Sequence, residues 1–178
     1  MIYRKLLNED LALLQTFIEK SKSIGRGPPQ EWLENALASD LCCLAATIVD
    51  GEMVSLCVGC SFEFYLKTRA PACWMFAWSQ NLPGATVPLE ARKAMADIVE
   101  NHFSSKGMNT FYAVIDWSEI KSADRHVKAF AKLNNISSYT ASLFSIVREP
   151  PTETNMVIER WLTAPVRKFP VAIIRMQK

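Results

Sequence analysis

The sequence Pro-Ala-Cys-Trp-Met-Phe-Ala-Trp-Ser (71–79) has the apolar character and the length of a buried strand. A short loop with one glycine, Leu-Pro-Gly-Ala-Thr-Val-Pro (82–88), follows it, and then an amphipathic helix predicted to reach about His102. A second apolar strand, Thr-Phe-Tyr-Ala-Val-Ile (110–115), comes next. These four segments form a βαβ unit, so we expect two parallel strands with the helix across one face of the sheet.

The loop at 82–88 places a helix N-terminus, with free N–H groups and a partial positive charge, beside the end of a strand. A phosphate-bearing ligand would bind there. The helix that follows repeats apolar residues on one face and carries charged residues largely elsewhere. The predicted buried positions are Ala91, Met95, Ile98, Val99, His102 and Phe103, and the predicted exposed ones are Arg92, Lys93, Asp97 and Glu100.

Turn and periodicity signals divide the rest of the chain. Asp50-Gly51 predicts a hairpin between strands at 41–49 and 53–66, and Gly59 in the second strand predicts a bulge. Asn8 is the expected N-cap of a first helix, with Asp10 in its first turn. The other predicted elements are an opening strand (2–6), a helix after Pro28 and Pro29, helices at 122–133 and 154–162, and strands at 138–147 and 169–176.

The resulting main element order is β-α-α-β-β-β-α-β-α-β-β. It predicts one α+β domain over residues 1–178, with a mixed, mostly antiparallel, twisted sheet of about seven strands. We expect helices on both faces of this sheet.

Composition narrows the classes of protein. The net charge is +2, from 20 basic and 18 acidic residues without a block of like charge, so we expect no nucleic-acid partner. No apolar run approaches the roughly 20 residues that cross a bilayer, and the first residues lack the apolar core of a signal peptide. We therefore expect a cytoplasmic protein with no membrane partner.

The five cysteines lie in apolar segments, which indicates small buried thiols in a reducing compartment. Cys57 and Cys60 have the CxxC spacing of metal ligands. On a strand, however, residues three apart point to opposite faces, so both could not bind one ion. We expect no metal.

The element order resembles that of the GNAT superfamily of N-acyltransferases over nearly the whole chain. The stretch Ala-Asp-Arg-His-Val-Lys-Ala-Phe-Ala-Lys-Leu-Asn (123–134) is similar to the fourth helix of that family, typically Asn-x-x-Ala-x-x-x-Tyr-x-Lys-x-Gly. The resemblance implies the GNAT fold and an acyl-CoA-dependent N-acyltransferase. Its co-substrate would be acetyl-CoA or another acyl-CoA, and its acceptor a small-molecule amine or a protein amino group.

Two departures from the family pattern bear on the chemistry. The pyrophosphate loop of the family usually reads Arg/Gln-x-x-Gly-x-Gly/Ala, and the stretch at 80–88 keeps Gly84 and Ala85 of it. The tyrosine that often protonates the leaving thiolate is Phe130 here, which has no proton to donate. An acid must then come from elsewhere, or from water.

Acyl transfer needs a strand whose backbone orients the acyl-pantetheine arm, an N–H group that polarises the thioester carbonyl, and a base for the amine. The resemblance places the strand at 76–78, with the amide of Ala77 as the polarising group. It places the pyrophosphate at the loop and the basic pair of the helix, although that pair also suits an ordinary solvated face. The expected co-substrate contacts are Phe76, Ala77, Trp78, Gly84, Ala85, Thr86, Arg92, Lys93 and Phe130.

Three residues are candidates for proton transfer. Glu63 and Asp116 are candidate bases, but Glu63 also fits the polar side of a half-exposed strand and Asp116 the cap of a turn. His126 lies one helical turn before Phe130 and is the candidate acid, or else a surface or partly buried residue. The altered loop, Phe130 and the many aromatics also fit a GNAT-like binding or assembly module without catalysis.

Overall fold

The computed structural model describes residues 1–22, 28–66, 73–116, 138–143 and 171–177. For residues 65–66, 110, 112–116, 138–143 and 171–177 the description covers the backbone and not the side chains. The strands are β1 (Ile2–Lys5), β2 (Cys42–Val49), β3 (Glu52–Ser61), β4 (Cys73–Asn81), β5 (Thr110–Asp116), β6 (Ser138–Leu143) and β7 (Val171–Gln177). The helices are α1 (Leu11–Ser21), α2 (Gln30–Ala38), α3 (Phe62–Leu66) and α4 (Leu89–Ser104), and a 3₁₀ turn spans Asn8–Asp10.

The seven strands form one sheet in the order β1-β2-β3-β4-β5-β7-β6. The β4–β5 pair is parallel, as the βαβ unit predicts, and the other five pairs are antiparallel. The domain is therefore of the mixed α+β class, as predicted. The predicted helices at 122–133 and 154–162 lie outside the described residues.

Helices cover both faces of the sheet, and the alternation of side chains on β2 shows how. Leu44, Ala46 and Ile48 pack in one apolar cluster with residues of α1 and α2. Cys43 and Ala45 belong to a second cluster on the other face, which holds the buried side chains of α4. Because successive strand residues point to opposite faces, one apolar strand serves both layers.

Glycine at position 59 explains how α4 reaches the sheet. A Cβ atom there would lie 2.9 Å from Phe103 Cε2 and closer still to Val99 Cγ1. The predicted bulge also occurs at this point, because the β3–β4 register shifts between Val58 and Gly59. Cys57 and Cys60, on either side of it, belong to the clusters on opposite faces, as the strand geometry predicted.

The long strand predicted to reach residue 66 ends earlier. β3 stops at Ser61, whose hydroxyl accepts a hydrogen bond of 3.3 Å from the N–H of Phe64. That bond is typical of a helix N-terminus, and α3 begins at the next residue. Glu63 therefore lies on a short helix and is exposed, which corrects its predicted place on a strand.

Two further predictions are wrong in detail. Asn8 does not cap the first helix: it begins the 3₁₀ turn that precedes α1. Glu100, predicted on the exposed side of α4, is only 4% exposed. α4 packs against β1 as well as β2 and β3, so its buried face is wider than a single apolar stripe.

Asp10 joins β1 to the start of α1. Its carboxylate accepts two hydrogen bonds of 2.6 Å from the Arg4 guanidinium and one of 2.8 Å from the N–H of Leu7. The Arg4 hydrogen bond is the main reason that the pKa of Asp10 lies below its usual 3.8, with smaller help from Leu7. The side chain of Asp10 is nearly buried, so the loss of these bonds is not compensated by water.

We expect Asp10→Asn to lower the free energy of unfolding by about 2 kcal/mol at pH 7. A depressed folded-state pKa stabilises the protein above the unfolded-state value, and this stabilisation is lost as the pH falls through the folded-state value. The difference between wild type and variant should therefore shrink below about pH 4. Urea unfolding across pH measures it. Glu52→Gln, in the exposed Lys20–Glu52 pair, is the control and should cost less than about 0.5 kcal/mol; an equal cost for both would contradict the prediction.

Candidate functional site

The two strands of the βαβ unit diverge. β4 and β5 pair over four positions, from Cys73 with Thr110 to Phe76 with Ala113. Beyond Phe76, the only described strand that pairs with β4 is β3. The two strands therefore lie side by side over these four positions and then separate. We call the space between 77–81 and the end of β5 the fork.

Ala77 lies at the base of the fork. It follows Phe76, the last residue paired with β5, and has no Cα partner on β3, where Val58 faces Trp78 and Gly59 faces Phe76. Ala77 and Trp78 both pack against the cluster that α1 and α2 share, although consecutive strand residues normally face opposite ways. Ala77 is therefore the extra residue of a β-bulge, a feature that redirects backbone groups and often lies beside active sites.

The open edge of β4 presents backbone groups to the fork. Leu82 donates its N–H to the Val54 carbonyl at 2.8 Å, which fixes the phase of the β3–β4 ladder. In an antiparallel pair, alternate residues direct their N–H and C=O groups toward and away from the partner strand. Gln80 therefore bonds to β3, while Ser79 and Asn81 point their backbone groups into the fork.

The loop after β4 leads directly to the start of α4. Ala85 donates its N–H to the Leu82 carbonyl at 3.1 Å, which closes a turn around Gly84. Gly84 has a φ of +76°, a conformation that favours glycine, and it is exposed together with Thr86. Pro88 is the N-cap of α4 and supplies no side-chain cap. The first N–H groups of a 16-residue helix are thus directed to the same side as the exposed loop.

The two basic residues predicted to meet phosphate differ in their surroundings. Lys93 donates to Asp97 at 2.6 Å, a pair one helical turn apart. The side chain of Arg92 is exposed and makes no ion pair or hydrogen bond within the described part of the chain. Glu90, in the first turn, places a carboxylate near the same helix end. Arg92 is therefore the cation that can contact an anion there at least cost, while Glu90 opposes binding.

Aromatic side chains beside the fork point away from it on opposite faces. Phe76 contacts Trp74 at 4.7 Å and Phe111 at 5.5 Å between ring centroids, on the α4 side. Trp78 contacts Phe17 edge-on at 6.4 Å, on the α1 side. Both rings belong to packed clusters, so neither ring is offered to a ligand in the fork.

The structure describes the positions of two of the three candidate proton-transfer residues. Asp116, predicted just beyond β5, is its last residue, and its backbone pairs with Val171. Glu63 is exposed on α3. His126 and Phe130 lie outside the described residues. Their roles stay predictions.

One exposed residue at the site was missed by sequence reasoning. Leu89, the first residue of α4, is 58% exposed beside the loop. A single apolar residue in an amphipathic helix looks like part of the buried face, so periodicity carries no signal for it.

Among the described residues, no helix is both long and apolar enough to cross a membrane, and no group of three or more His, Cys, Asp or Glu side chains is placed to hold a metal ion.

Comparison by sequence gives no relative: no family model and no curated protein matches the chain. Comparison by structure does. The chain is similar to N-acetylglutamate synthase from Neisseria gonorrhoeae, in complex with coenzyme A and N-acetyl-glutamate, with a TM-score of 0.60 and 14% identity. The match covers 99% of this chain and 35% of that protein, so the chain spans about a third of its length.

Two other matches cover both partners almost completely. Diaminobutyrate acetyltransferase from Paenibacillus lautus, in complex with its substrate and coenzyme A, has a TM-score of 0.58 at 14% identity, over 99% of this chain and 93% of that one. Ribosomal-protein-alanine N-acetyltransferase from Brucella melitensis has a TM-score of 0.59 at 12% identity, over 100% of both chains. The fold is GNAT-like. At these identities the likeness concerns the fold, and the chemistry has to be argued from the site.

Proposed function

We propose that the protein is an N-acyltransferase that uses acetyl-CoA or another acyl-CoA. The observation that carries this proposal is the fork: β4 and β5 separate after Phe76, and the bulged residue Ala77 lies at the point of separation. A flexible arm with amide groups, such as pantetheine, can pair with an open strand edge as an additional strand does. The loop at Gly84 and the N-terminus of α4 follow that edge, where a pyrophosphate would find N–H groups and Arg92.

The reaction requires little beyond this geometry. The amine nitrogen attacks the thioester carbonyl carbon, the N–C bond forms, the C–S bond breaks, and coenzyme A leaves as a thiolate that takes up a proton. In our proposal the N–H of Ala77 stabilises the negative charge on the carbonyl oxygen. Glu63 or Asp116 accepts the proton of the amine, directly or through water, and His126 or water protonates the thiolate.

The structural neighbours support this class of co-substrate and leave the acceptor open. The N. gonorrhoeae and P. lautus proteins are both in complex with coenzyme A. The names of the neighbours include acceptors as different as a diamino acid and a ribosomal-protein alanine. We therefore propose an amino group, on a small molecule or a protein, as the acceptor.

Thermal unfolding with acyl-CoA tests the proposal. A ligand at 100 times its Kd stabilises the folded state by about 2.7 kcal/mol, which for a domain of this size raises the Tm by about 5–10 °C. We expect such a rise with acetyl-CoA or a longer acyl-CoA. No rise with any acyl-CoA at millimolar concentration would contradict the proposal. It would favour the alternative, a GNAT-fold binding or assembly module without catalysis. The carboxylate of Glu90, which opposes anion binding at the N-terminus of α4, agrees with that alternative.

Arg92 and Lys93 should then behave differently. Arg92→Ala removes the exposed cation near the N-terminus of α4, and we expect about a fivefold weaker acyl-CoA affinity with little change in stability. Lys93→Ala removes a residue already paired with Asp97 and should change the affinity less than twofold. Titration calorimetry measures both. Equal losses would show that the Lys93–Asp97 pair opens to bind the ligand.

A further inference from the structure

Two of the five cysteines are direct partners across the β2–β3 pair. Cys42 is the first residue of β2, Cys60 is near the end of β3, and the antiparallel register places them opposite each other. Both belong to the apolar cluster that α1 and α2 share, so both side chains lie on one face of the sheet. All five thiols are free and buried. Whether these two sulfur atoms are within bonding distance depends on the kind of pair that the backbone forms.

The backbone hydrogen bonds show that Cys42 and Cys60 form a non-hydrogen-bonded pair. Ser61 donates its N–H to the Leu41 carbonyl at 2.8 Å, so the adjacent pair is the hydrogen-bonded one. Leu44, two residues after Cys42, directs its carbonyl to the β1 side, where it accepts a bond of 2.8 Å, and residues two apart point their backbone groups the same way. In a non-hydrogen-bonded pair the Cα atoms are about 4.5 Å apart, and disulfides span about 4.4–6.8 Å between Cα atoms. The two sulfur atoms are therefore placed to form a bond.

The other three cysteines are not placed in this way. Cys43 and Cys57 lie on the opposite face, where the register makes them diagonal neighbours. Cys73, on β4, is likewise diagonal to Cys60. Diagonal neighbours are about 7–8 Å apart, and a disulfide cannot join Cα atoms more than about 7 Å apart without backbone movement. Strand geometry therefore favours the bond between Cys42 and Cys60 over any other.

A groove brings solvent to one member of the pair. It has a volume of about 220 Å³, and Cys42 lines it together with Leu6, Ala36 and Leu44. These residues belong to the same cluster as Cys42, so the groove is on the face to which its side chain points. Cys60 is fully buried and does not line the groove. A small oxidant would therefore reach Cys42 first.

We propose that Cys42 and Cys60 are a redox-sensitive site at which a peroxide forms a disulfide. The Cys42 sulfur attacks a peroxide oxygen, the O–O bond breaks, and a sulfenic acid and one molecule of water result. The Cys60 sulfur then attacks the sulfenic sulfur, the S–S bond forms, and the hydroxyl group leaves as a second water with the Cys60 proton. The two thiols lose two electrons in total, and the peroxide gains them.

Burial sets the pace of this reaction. It raises the pKa of Cys42 to about 12 and the pKa of Cys60 well above its ordinary 9.0, and neighbouring thiols add to both shifts. The thiolate is the reactive form, so the pair stays reduced under mild conditions and is oxidised by sustained exposure to peroxide. The bond would join β2 to β3 just before Ser61, whose hydroxyl caps α3.

Peptide mapping of the full chain tests this proposal. The protein is treated with millimolar hydrogen peroxide for several hours near neutral pH, free thiols are alkylated, and the unfolded chain is cleaved after glutamate. Cleavage at Glu52 separates β2 from β3, so a bond between the strands holds two peptides together until a reductant is added. We expect these joined peptides, with fragmentation placing the bond at Cys42 and Cys60. The oxidised protein should also unfold about 5 °C above the reduced one, because the bond restricts the unfolded chain.

Alanine variants identify the two sulfur atoms. Cys42→Ala and Cys60→Ala should each abolish the cross-link, whereas Cys43→Ala and Cys57→Ala, on the other face, should keep it. Dimedone, which traps sulfenic acids, should label Cys42 in the Cys60→Ala protein and leave Cys60 unlabelled in the Cys42→Ala protein. No cross-link in the wild type, or one that persists in Cys42→Ala, would overturn the proposal and leave the acyl-CoA proposal unaffected. Circular dichroism verifies that each variant is folded.

Discussion

Replacing Gly59 with alanine will destabilise the domain by about 3 kcal/mol, near the upper end of the usual cost of an added methyl group in a packed core. The new Cβ would lie 2.9 Å from Phe103 Cε2 and closer to Val99 Cγ1, and both contacts are with fully buried side chains of α4. α4 would have to move away from the sheet, and this movement would disturb the stacking of the Phe103 ring on the Trp74 ring. Urea unfolding measures the cost directly.

Two variants show whether crowding is the cause. Gly84→Ala has open space around the new Cβ but a positive φ, so it should cost only about 1 kcal/mol of backbone strain. Val99→Ala removes the nearest clashing atom. The double variant Gly59→Ala with Val99→Ala should therefore lose at least about 1 kcal/mol less free energy of unfolding than the two single variants lose together. Simple additivity would mean that the β-bulge, rather than contact with α4, requires glycine at position 59.

Local signals predicted much of the fold. Asp50 and Gly51 have φ values of +50° and +83°, the conformation of the hairpin turn that their dipeptide predicts. The βαβ order predicted the parallel β4–β5 pair, and Gly59 predicted the bulge. Hydrophobic periodicity gave the wrong strand end where a side chain caps a helix, and the wrong burial where a helix packs on more than one strand. Ser61 ends β3 with a hydrogen bond, and Glu100 is buried because α4 also packs on β1.

Of the candidate site, only the course of the backbone could be predicted from the sequence. The resemblance gave Ala77 as the polarising amide, and the structure shows this residue at a bulge where the two strands separate, while its role stays a prediction. The pairing of Lys93 with Asp97 was visible in the sequence as an i,i+4 pair and argues for Arg92 as the freer cation. The pairing of Cys42 with Cys60 depends on a register shift in β2, and no local pattern contains it.

The open edge of β4 allows a test of the proposed function that leaves most side chains untouched. Ser79→Pro removes an N–H group that points into the fork, and it keeps the bonds from Gln80 and Leu82 to β3. Proline is tolerated on an open strand edge because its missing donor is not part of the ladder. We expect the domain to stay folded, with a loss in the free energy of unfolding of about 1 kcal/mol.

Acyl-CoA binding should nevertheless fall about a hundredfold in Ser79→Pro, because the pantetheine arm loses a hydrogen bond and meets the proline ring at the edge that it pairs with. Ser79→Ala keeps the N–H group, so it should bind like wild type. The Tm rise with acetyl-CoA compares all three proteins. If both variants bind like wild type, the arm does not lie along β4. The acyl-CoA site would then have to be sought elsewhere, since the fork is the observation on which the proposal depends.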